Sequence, residues 1–286
     1  MPQPENANLR KHLETLIGER NPFSTPGPVE QAAGYIAHQF QLTGLTVSRE
    51  EVPFEGTASH NIFGLKEGMD SSAGTFILGA HYDSVQGSPG ADDNASAVAA
   101  LLEVARCLKE TTVKGNILFA AFTLEEYGFI GSRQMAARIK ESGQNVSGMI
   151  SLEMLGYRTR EPGSQTYPPY VDPRQYPDTG DFIAVVGNEP SQALALGLAD
   201  ALKKTTPELG VESLVLPGRA DDFVEVRLSD HCAFWEQDFK AAMLTDTAFF
   251  RNPHYHQATD TLDTLDIDFI REVCAGLIEY LKAPIV

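Results

Sequence analysis

TFILGAHYDSVQGSPGADDNAS, residues 75–96, contains the pattern from which the fold class follows. It begins with the apolar run Thr75 to Ala80, which is typical of a buried strand. A polar loop starts at His81, and a helical pattern then runs from Ala95 to Leu108. Asp93, Asn94 and Ser96 suit the cap and first turn of that helix. A strand that leads through a loop into an apolar helix is the repeating unit of a helix-covered sheet.

Strands and helices continue to alternate on both sides of this stretch. We therefore predict an α/β fold, with a central mixed, mostly parallel β-sheet flanked by helices on both faces. No linker separates two cores, so a single domain is expected over residues 1–286. The predicted strands are 46–53, 60–65, 75–80, 116–122, 146–153, 182–186, 211–216 and 240–245, and the predicted helices are 9–17, 29–42, 95–108, 131–140, 191–203 and 265–281.

A loop rich in proline and tyrosine interrupts this alternation at residues 157–180. Long loops inside compact domains are commonly functional. We predict that this loop lines the active-site cleft.

Composition and charge exclude several classes of protein. With 42% hydrophobic and 21% charged residues, the chain resembles an ordinary globular protein. A formal net charge of -17 disfavours nucleic acid and anionic membranes as partners, because both attract basic surfaces. No apolar run approaches the length of a membrane span, and the polar start lacks the features of a signal peptide, so a cytoplasmic location is expected.

Histidines and acidic residues follow the ends of several predicted strands. Ligands of open α/β sheets collect at the carboxyl ends of the strands, where loops converge. Imidazole and carboxylate groups are the usual ligands of Zn²⁺ and related ions. The candidate metal ligands are His81, Asp93, Glu126, Glu153 and His256.

The charges of this set suit two divalent cations. Three carboxylates and a bridging hydroxide balance four positive charges, and Asp93 as a bridge would give each ion one histidine and one further carboxylate. Two ions about 3.5 to 4 Å apart clamp the oxygens of a hydrolytic step. The sequence thus predicts a metallohydrolase with two Zn²⁺ per chain, with Co²⁺ and Mn²⁺ as alternatives.

Two further acidic residues have predicted roles beside the metals. Of the neighbours Glu125 and Glu126, one can bind metal while the other stays free as a general base. Asp83, two positions after His81, is expected to orient the imidazole.

Each residue also has an ordinary structural interpretation. His81 alone would be a core or surface histidine, and Asp92 competes with Asp93 for the helix cap. His254 competes with His256 as a ligand. Ser229, Asp230 and His231 suit either a helix start or a place near the site.

The sequence resembles the M28 family of zinc aminopeptidases. The motifs that carry the resemblance are GAHYDS (79–84), GADDNAS (90–96), EEYG (125–128) and Tyr255-His256 followed by Asp260-Thr261. The resemblance implies a zinc-dependent exopeptidase fold and activity, acting on peptides with a free N-terminus. It implies Asp93 as the bridging ligand, Glu125 as the general base and Tyr255 as the donor to the oxyanion.

One candidate ligand departs from the family pattern. Glu153 stands where Asp is usual, so substrate specificity is the property most open to change. The same fold leaves three other functions open: a glutaminyl cyclase-like acyltransferase with one zinc, a carboxypeptidase-like or deacylating hydrolase, and a receptor that has lost its ligands.

Overall fold

The computed structural model describes residues 2–285 and contains one eight-stranded sheet. The strand order across the sheet is β1-β2-β4-β3-β5-β8-β6-β7. Four of the seven neighbouring pairs are parallel and three are antiparallel. The strands are β1 (Thr46–Phe54), β2 (Thr57–Lys66), β3 (Thr75–His81), β4 (Asn116–Phe122), β5 (Val146–Glu153), β6 (Phe182–Asn188), β7 (Gly210–Leu216) and β8 (Ala241–Thr245).

Helices cover both faces of this sheet. One face packs against α1, α2, α3, α5 and α7, and the other packs against α4 and α6. β3 contributes to both layers, since Phe76 and Leu78 enter the first core and Ile77 enters the second. The helices are α1 (Asn6–Leu16), α2 (Pro26–Leu42), α3 (Ala97–Leu108), α4 (Ile130–Ser142), α5 (Gln192–Thr205), α6 (His231–Glu236) and α7 (Ile267–Lys282).

The predicted fold class is confirmed: the sheet is mixed and helices flank both faces. The sequence does not predict α6. This helix has six residues, which make less than two turns and are too few for a repeating apolar pattern. None of the helices within residues 2–285 combines the length and the apolar character that a membrane crossing requires.

The predicted side-chain cap of α3 is wrong. No side chain caps this helix, because the polar groups before it have other partners. Asn94 donates to the main-chain oxygen of Leu152 and accepts from the amide of Met154. The Ser96 hydroxyl donates to the main-chain oxygen of Asp92 and accepts from the amide of Leu155. These bonds tie the segment before α3 to the end of β5.

Arg20 holds the loop that follows β3. Its buried guanidinium donates to the main-chain oxygens of Tyr82, Pro89 and Gly90, at 2.8, 3.0 and 2.8 Å. Burial lowers the pKa of Arg20 to about 10, against the opposing effect of nearby carboxylates, so the group stays cationic at neutral pH. The buried Arg20 cation therefore holds the loop between His81 and Asp93 through hydrogen bonds to its main chain.

Candidate metal centre

The candidate site lies where three adjacent strands of the sheet end. His81 is the last residue of β3, and Glu153 is the last residue of β5. Glu125 and Glu126 follow β4, which pairs with β3 in parallel. Parallel strands end at the same edge of a sheet, so these side chains emerge together.

Two groups of side chains at this edge have metal-ligand geometry, and they share Asp93. The ligand atoms of His81, Asp93 and Glu153 lie within 4.8 Å of one another, and those of Asp93, Glu126 and His256 do likewise. Asp93 Oδ1 lies 3.3 Å from His81 Nε2, while Oδ2 lies 3.1 Å from His256 Nε2. Each carboxylate oxygen of Asp93 thus faces a different histidine, as a bridging ligand requires.

Left-handed backbone conformations aim several of these side chains. Leu124, directly before Glu125, has a φ of 57°, and Met154, directly after Glu153, has a φ of 47°. His256 itself has a φ of 58°. Such conformations cost roughly 1 to 3 kcal/mol in non-glycine residues and cluster at functional sites. The two strands therefore turn abruptly at their ends, next to the acidic side chains that the site uses.

Glu125 differs from its neighbour Glu126. Glu126 accepts a hydrogen bond from the amide of Val85 on one oxygen, and its other oxygen lies 3.3 Å from His256 Nε2. Glu125 belongs to neither ligand group, although one of its oxygens lies 3.8 Å from His81 Nε2. The carboxylate of Glu125 is therefore beside the ligands without being one of them.

Further side chains fix the ligands in place. The Asp83 carboxylate accepts from the amides of Glu125 and Glu126, at 3.2 and 3.4 Å. The same carboxylate lies 3.7 Å from His81 Nδ1, whereas the main-chain oxygen of Asp83 lies 3.2 Å from it. Asp83 thus supports the general-base segment as well as lying next to the imidazole, and its predicted orienting role stays a prediction.

Asp260 and Ser229 complete the support. The Asp260 carboxylate accepts from the amides of Asp92 and Asp93, at 2.9 and 3.2 Å. The Ser229 hydroxyl donates to Glu153 Oε2 at 2.7 Å. Glu153, although longer than the usual Asp, therefore reaches the ligand group and is held there.

The donor set fits metal ions. His81 is 1% exposed, and its Nε2 atom has no hydrogen-bond partner within the described chain, although three carboxylates surround it. Buried carboxylates at this density repel one another unless a cation lies between them. Zinc prefers imidazole and carboxylate ligands of this kind.

The electrostatics of the site show the same excess of negative charge. Burial raises the pKa of Glu126 to about 7, and the nearby Asp93 charge adds to that rise. Burial also raises the pKa of Glu125 well above its usual range. Burial alone would lower the pKa of His256, but bonds to Asp93 and Glu126 raise it to about 10. These pKa shifts have one cause, the crowding of buried acidic groups around two histidines.

We expect the metal-free protein to lose thermal stability as the pH rises. A glutamate in the unfolded chain has a pKa near 4.3. Glu126 therefore makes its full contribution to the free energy of unfolding below that pH, and this contribution is lost as the pH rises through about 7. His256 acts in the same direction, since its contribution is full below about 6.5 and is lost toward pH 10. Calorimetry in chelator should show Tm falling by roughly 5 to 10 °C between about pH 5 and about pH 8.

Added zinc should flatten this trend, because the ions replace the protons on the same ligands. A Tm in chelator that stays constant or rises over that range would contradict the assignment of these groups as a cation site.

Tyr255 and the loop 157–180 border the site. The Tyr255 ring stacks on the His256 imidazole, with centroids 3.8 Å apart and planes 19° apart. Tyr255 and Glu153 also line a cavity whose other wall includes Gln165, Tyr167 and Tyr176 of the loop. That this cavity is the active-site cleft stays a prediction.

The structure brings together all the residues that the sequence singled out as metal ligands. The two competitors lie outside both groups: Asp92 accepts from Asn252, and His254 pairs with Thr259. Sequence reasoning missed the supporting roles of Asp260 and Ser229. Both stand in motifs that had been noticed, but only their spatial position reveals what they support.

A candidate metal site at the strand ends of an α/β sheet is an arrangement typical of metallohydrolases with open α/β folds. The model of Peptidase family M28 matches residues 61–281. The chain belongs to peptidase family M28.

Individual proteins are similar to this chain over most of its length. The uncharacterized protein YfbL of Escherichia coli (strain K12) is 38% identical over 88% of this chain and 80% of its own length. Leucine aminopeptidase 1 of Arthroderma otae is 26% identical over 91% of this chain and 69% of its own length. The chain spans about half the length of two probable zinc metalloproteases from Pyrenophora species, 50% in each case.

A solved structure shares the fold. The Legionella pneumophila LapA aminopeptidase superimposes with a TM-score of 0.76 at 22% identity, covering 97% of this chain and 71% of that one.

Proposed function

We propose that this chain is a zinc-dependent aminopeptidase that removes the first residue from peptides with a free N-terminus. The observation that carries the proposal is the pair of ligand groups joined by Asp93, with Glu125 beside them and outside both. Membership of peptidase family M28 supports a peptide substrate, and the relative named leucine aminopeptidase supports cleavage at the N-terminus.

The five ligands would hold two zinc ions per chain. His81 and Glu153 would hold one, His256 and Glu126 the other, and Asp93 both. When bound, zinc supplies a Lewis acid that polarises a carbonyl and lowers the pKa of water.

In this proposal Glu125 transfers the protons. Its buried carboxylate has a pKa raised by desolvation, which favours a group that accepts a proton from the attacking water and later returns it to the leaving amine. The Asp83 carboxylate accepts a hydrogen bond from the amide of Glu125. This bond holds the backbone from which the Glu125 side chain extends toward the site. The role of general base therefore fits Glu125 better than it fits Glu126 or Glu153, which belong to the ligand groups.

Tyr255 fits the stabilisation of the oxyanion. Burial, together with the nearby carboxylates of Asp93 and Glu153, raises the pKa of its phenol, so the hydroxyl keeps its proton at neutral pH. A protonated phenol donates a hydrogen bond to developing negative charge on the substrate oxygen. Stacking on His256 limits the motion of the ring.

The activity can be tested with aminoacyl anilides. We expect hydrolysis of anilides with a free amino group, little hydrolysis of their N-acetylated forms, and a loss of at least roughly 100-fold after chelation that zinc restores. Metal analysis of the purified protein should find two zinc ions per chain.

Other outcomes would indicate the alternative functions. Formation of pyroglutamate from N-terminal glutamine would indicate a cyclase, and preference for the N-acetylated anilides would indicate a deacylating hydrolase. Full turnover by a metal-free preparation would overturn the proposal.

A further inference from the structure

The cavity beside Glu153 and Tyr255 has a wall that the proposed reaction does not use. Its volume is about 100 Å³, several times the roughly 10 to 15 Å³ that one water molecule requires. Most of its wall is apolar, including Phe182, Val186 and Met243. The cavity therefore has room for a long substrate side chain next to the candidate metal centre.

One row of residues across the sheet connects this cavity to the metal centre. Glu153 on β5 pairs with Thr245 on β8, Thr245 pairs with Ala184 on β6, and Ala184 pairs with Glu212 on β7. Residues that pair across neighbouring strands project from the same face, and all four line the cavity. The row thus begins at a candidate zinc ligand and ends at a second carboxylate.

The Glu212 carboxylate lacks a partner. It is half-buried, and within residues 2–285 it accepts no hydrogen bond and forms no ion pair. Burial raises its pKa, and Lys203 opposes that rise only from a distance. An anionic group that no protein group neutralises, at the end of a ligand-sized cavity, points to a cationic ligand.

The other charged groups near the cavity agree with this. Glu225 also lines the wall, close enough to add to the rise that burial causes in the pKa of the Tyr170 phenol, and neither lysine nor arginine is among the lining residues. Arg251, a buried cation nearby, stacks on Phe182 at 4.5 Å and donates to Gln165 behind the wall. The far end of the cavity is therefore negative.

The length of the row sets the size of the ligand. Three strand spacings separate the backbones of Glu153 and Glu212 by about 14 Å. An extended arginine or lysine spans roughly 6 to 7 Å from its α-carbon to its cationic end by ordinary bond lengths. A hydrogen bond of about 3 Å from the α-amino group to Glu153 and another from the side-chain cation to Glu212 bring the total to about 13 Å. This length is comparable with the backbone separation because paired side chains project in the same direction from the sheet.

We propose that the cavity selects peptides whose first residue is lysine or arginine, with Glu212 binding the side-chain cation. The inference rests on the proposed aminopeptidase function, because it assigns the cavity to the first residue of the substrate. The apolar wall packs against the aliphatic stem, and the acidic end pairs with the charge. The net charge of -17 also favours the approach of cationic peptides.

Neutral isosteres provide the test. We expect the zinc-loaded protein to hydrolyse lysyl anilide at least about tenfold more efficiently than norleucyl anilide, and arginyl anilide similarly better than citrullyl anilide, as kcat/KM. Glu212→Gln should bring both ratios close to one. Glu208→Gln is the matched control: it removes the same charge from an exposed position just before β7, and both ratios should persist.

Glu212→Lys guards against a folding artefact, because it should reverse the preference toward glutamyl anilide instead of abolishing all activity. Norleucyl anilide hydrolysed as well as lysyl anilide would overturn the inference, as would ratios that survive Glu212→Gln. Calorimetry with L-argininamide and L-citrullinamide separates the two proposals. Tighter binding of argininamide without turnover of any anilide would defeat the aminopeptidase proposal alone, and equal binding would defeat this inference alone.

Discussion

Glu125→Gln is expected to lower kcat by roughly 10²- to 10⁴-fold while leaving the metal content unchanged. Glutamine keeps the size of the side chain but cannot accept the proton of the attacking water. Because Glu125 belongs to neither ligand group, its loss should not release metal. The measurements are kcat on a free-amine anilide and metal content by mass spectrometry.

The neighbouring residue supplies the contrast. Glu126→Gln should lose metal, since its carboxylate faces His256 at 3.3 Å. Glu141→Gln, an exposed change on α4, should keep both activity and metal. If Glu125→Gln retained near wild-type kcat, or lost its zinc, the general-base assignment would be wrong.

Asp93→Asn should have the second large effect, a loss of metal and activity together. An amide nitrogen cannot bind a cation, so one of the two contacts of the proposed bridge disappears. Removing an outer partner of a metal ligand already costs roughly 10- to 100-fold in affinity or activity, and the loss of a shared ligand should cost more. Zinc content should fall from two per chain to one or none.

Asp222→Asn, at an exposed position, is the matched control and should retain both ions. Circular dichroism establishes whether Asp93→Asn remains folded. A folded Asp93→Asn protein that kept two zinc ions would refute the bridging role.

Much of the fold was predictable because its signals are local. Runs such as Thr75 to Ala80 and Asn116 to Phe122 are apolar and short, and they form strands at nearly those residues. The candidate ligands were recognisable because their residue types follow strand ends in a known order. α6 has no such signal, and the cap of α3 failed because Asn94 and Ser96 bond to the end of β5 instead.

The support of the candidate site was not predictable. Asp260 binds amides 167 and 168 residues away in the chain, and Ser229 reaches Glu153 from 76 residues away. No periodicity or spacing encodes contacts at such separations. They follow from the packing of the whole sheet and its helices.

The alternation of strands and helices, the candidate ligands and the family could all be read from the amino-acid sequence. Each depends on residue type and short-range pattern, which act within a few residues of chain. The tertiary structure supplied the geometry behind the predicted roles of Asp93 and Glu125, and it alone revealed that Glu153 and Glu212 end one row across four strands. Those relations depend on strand order and register, which the chain acquires only when distant strands pair and their apolar faces are buried together.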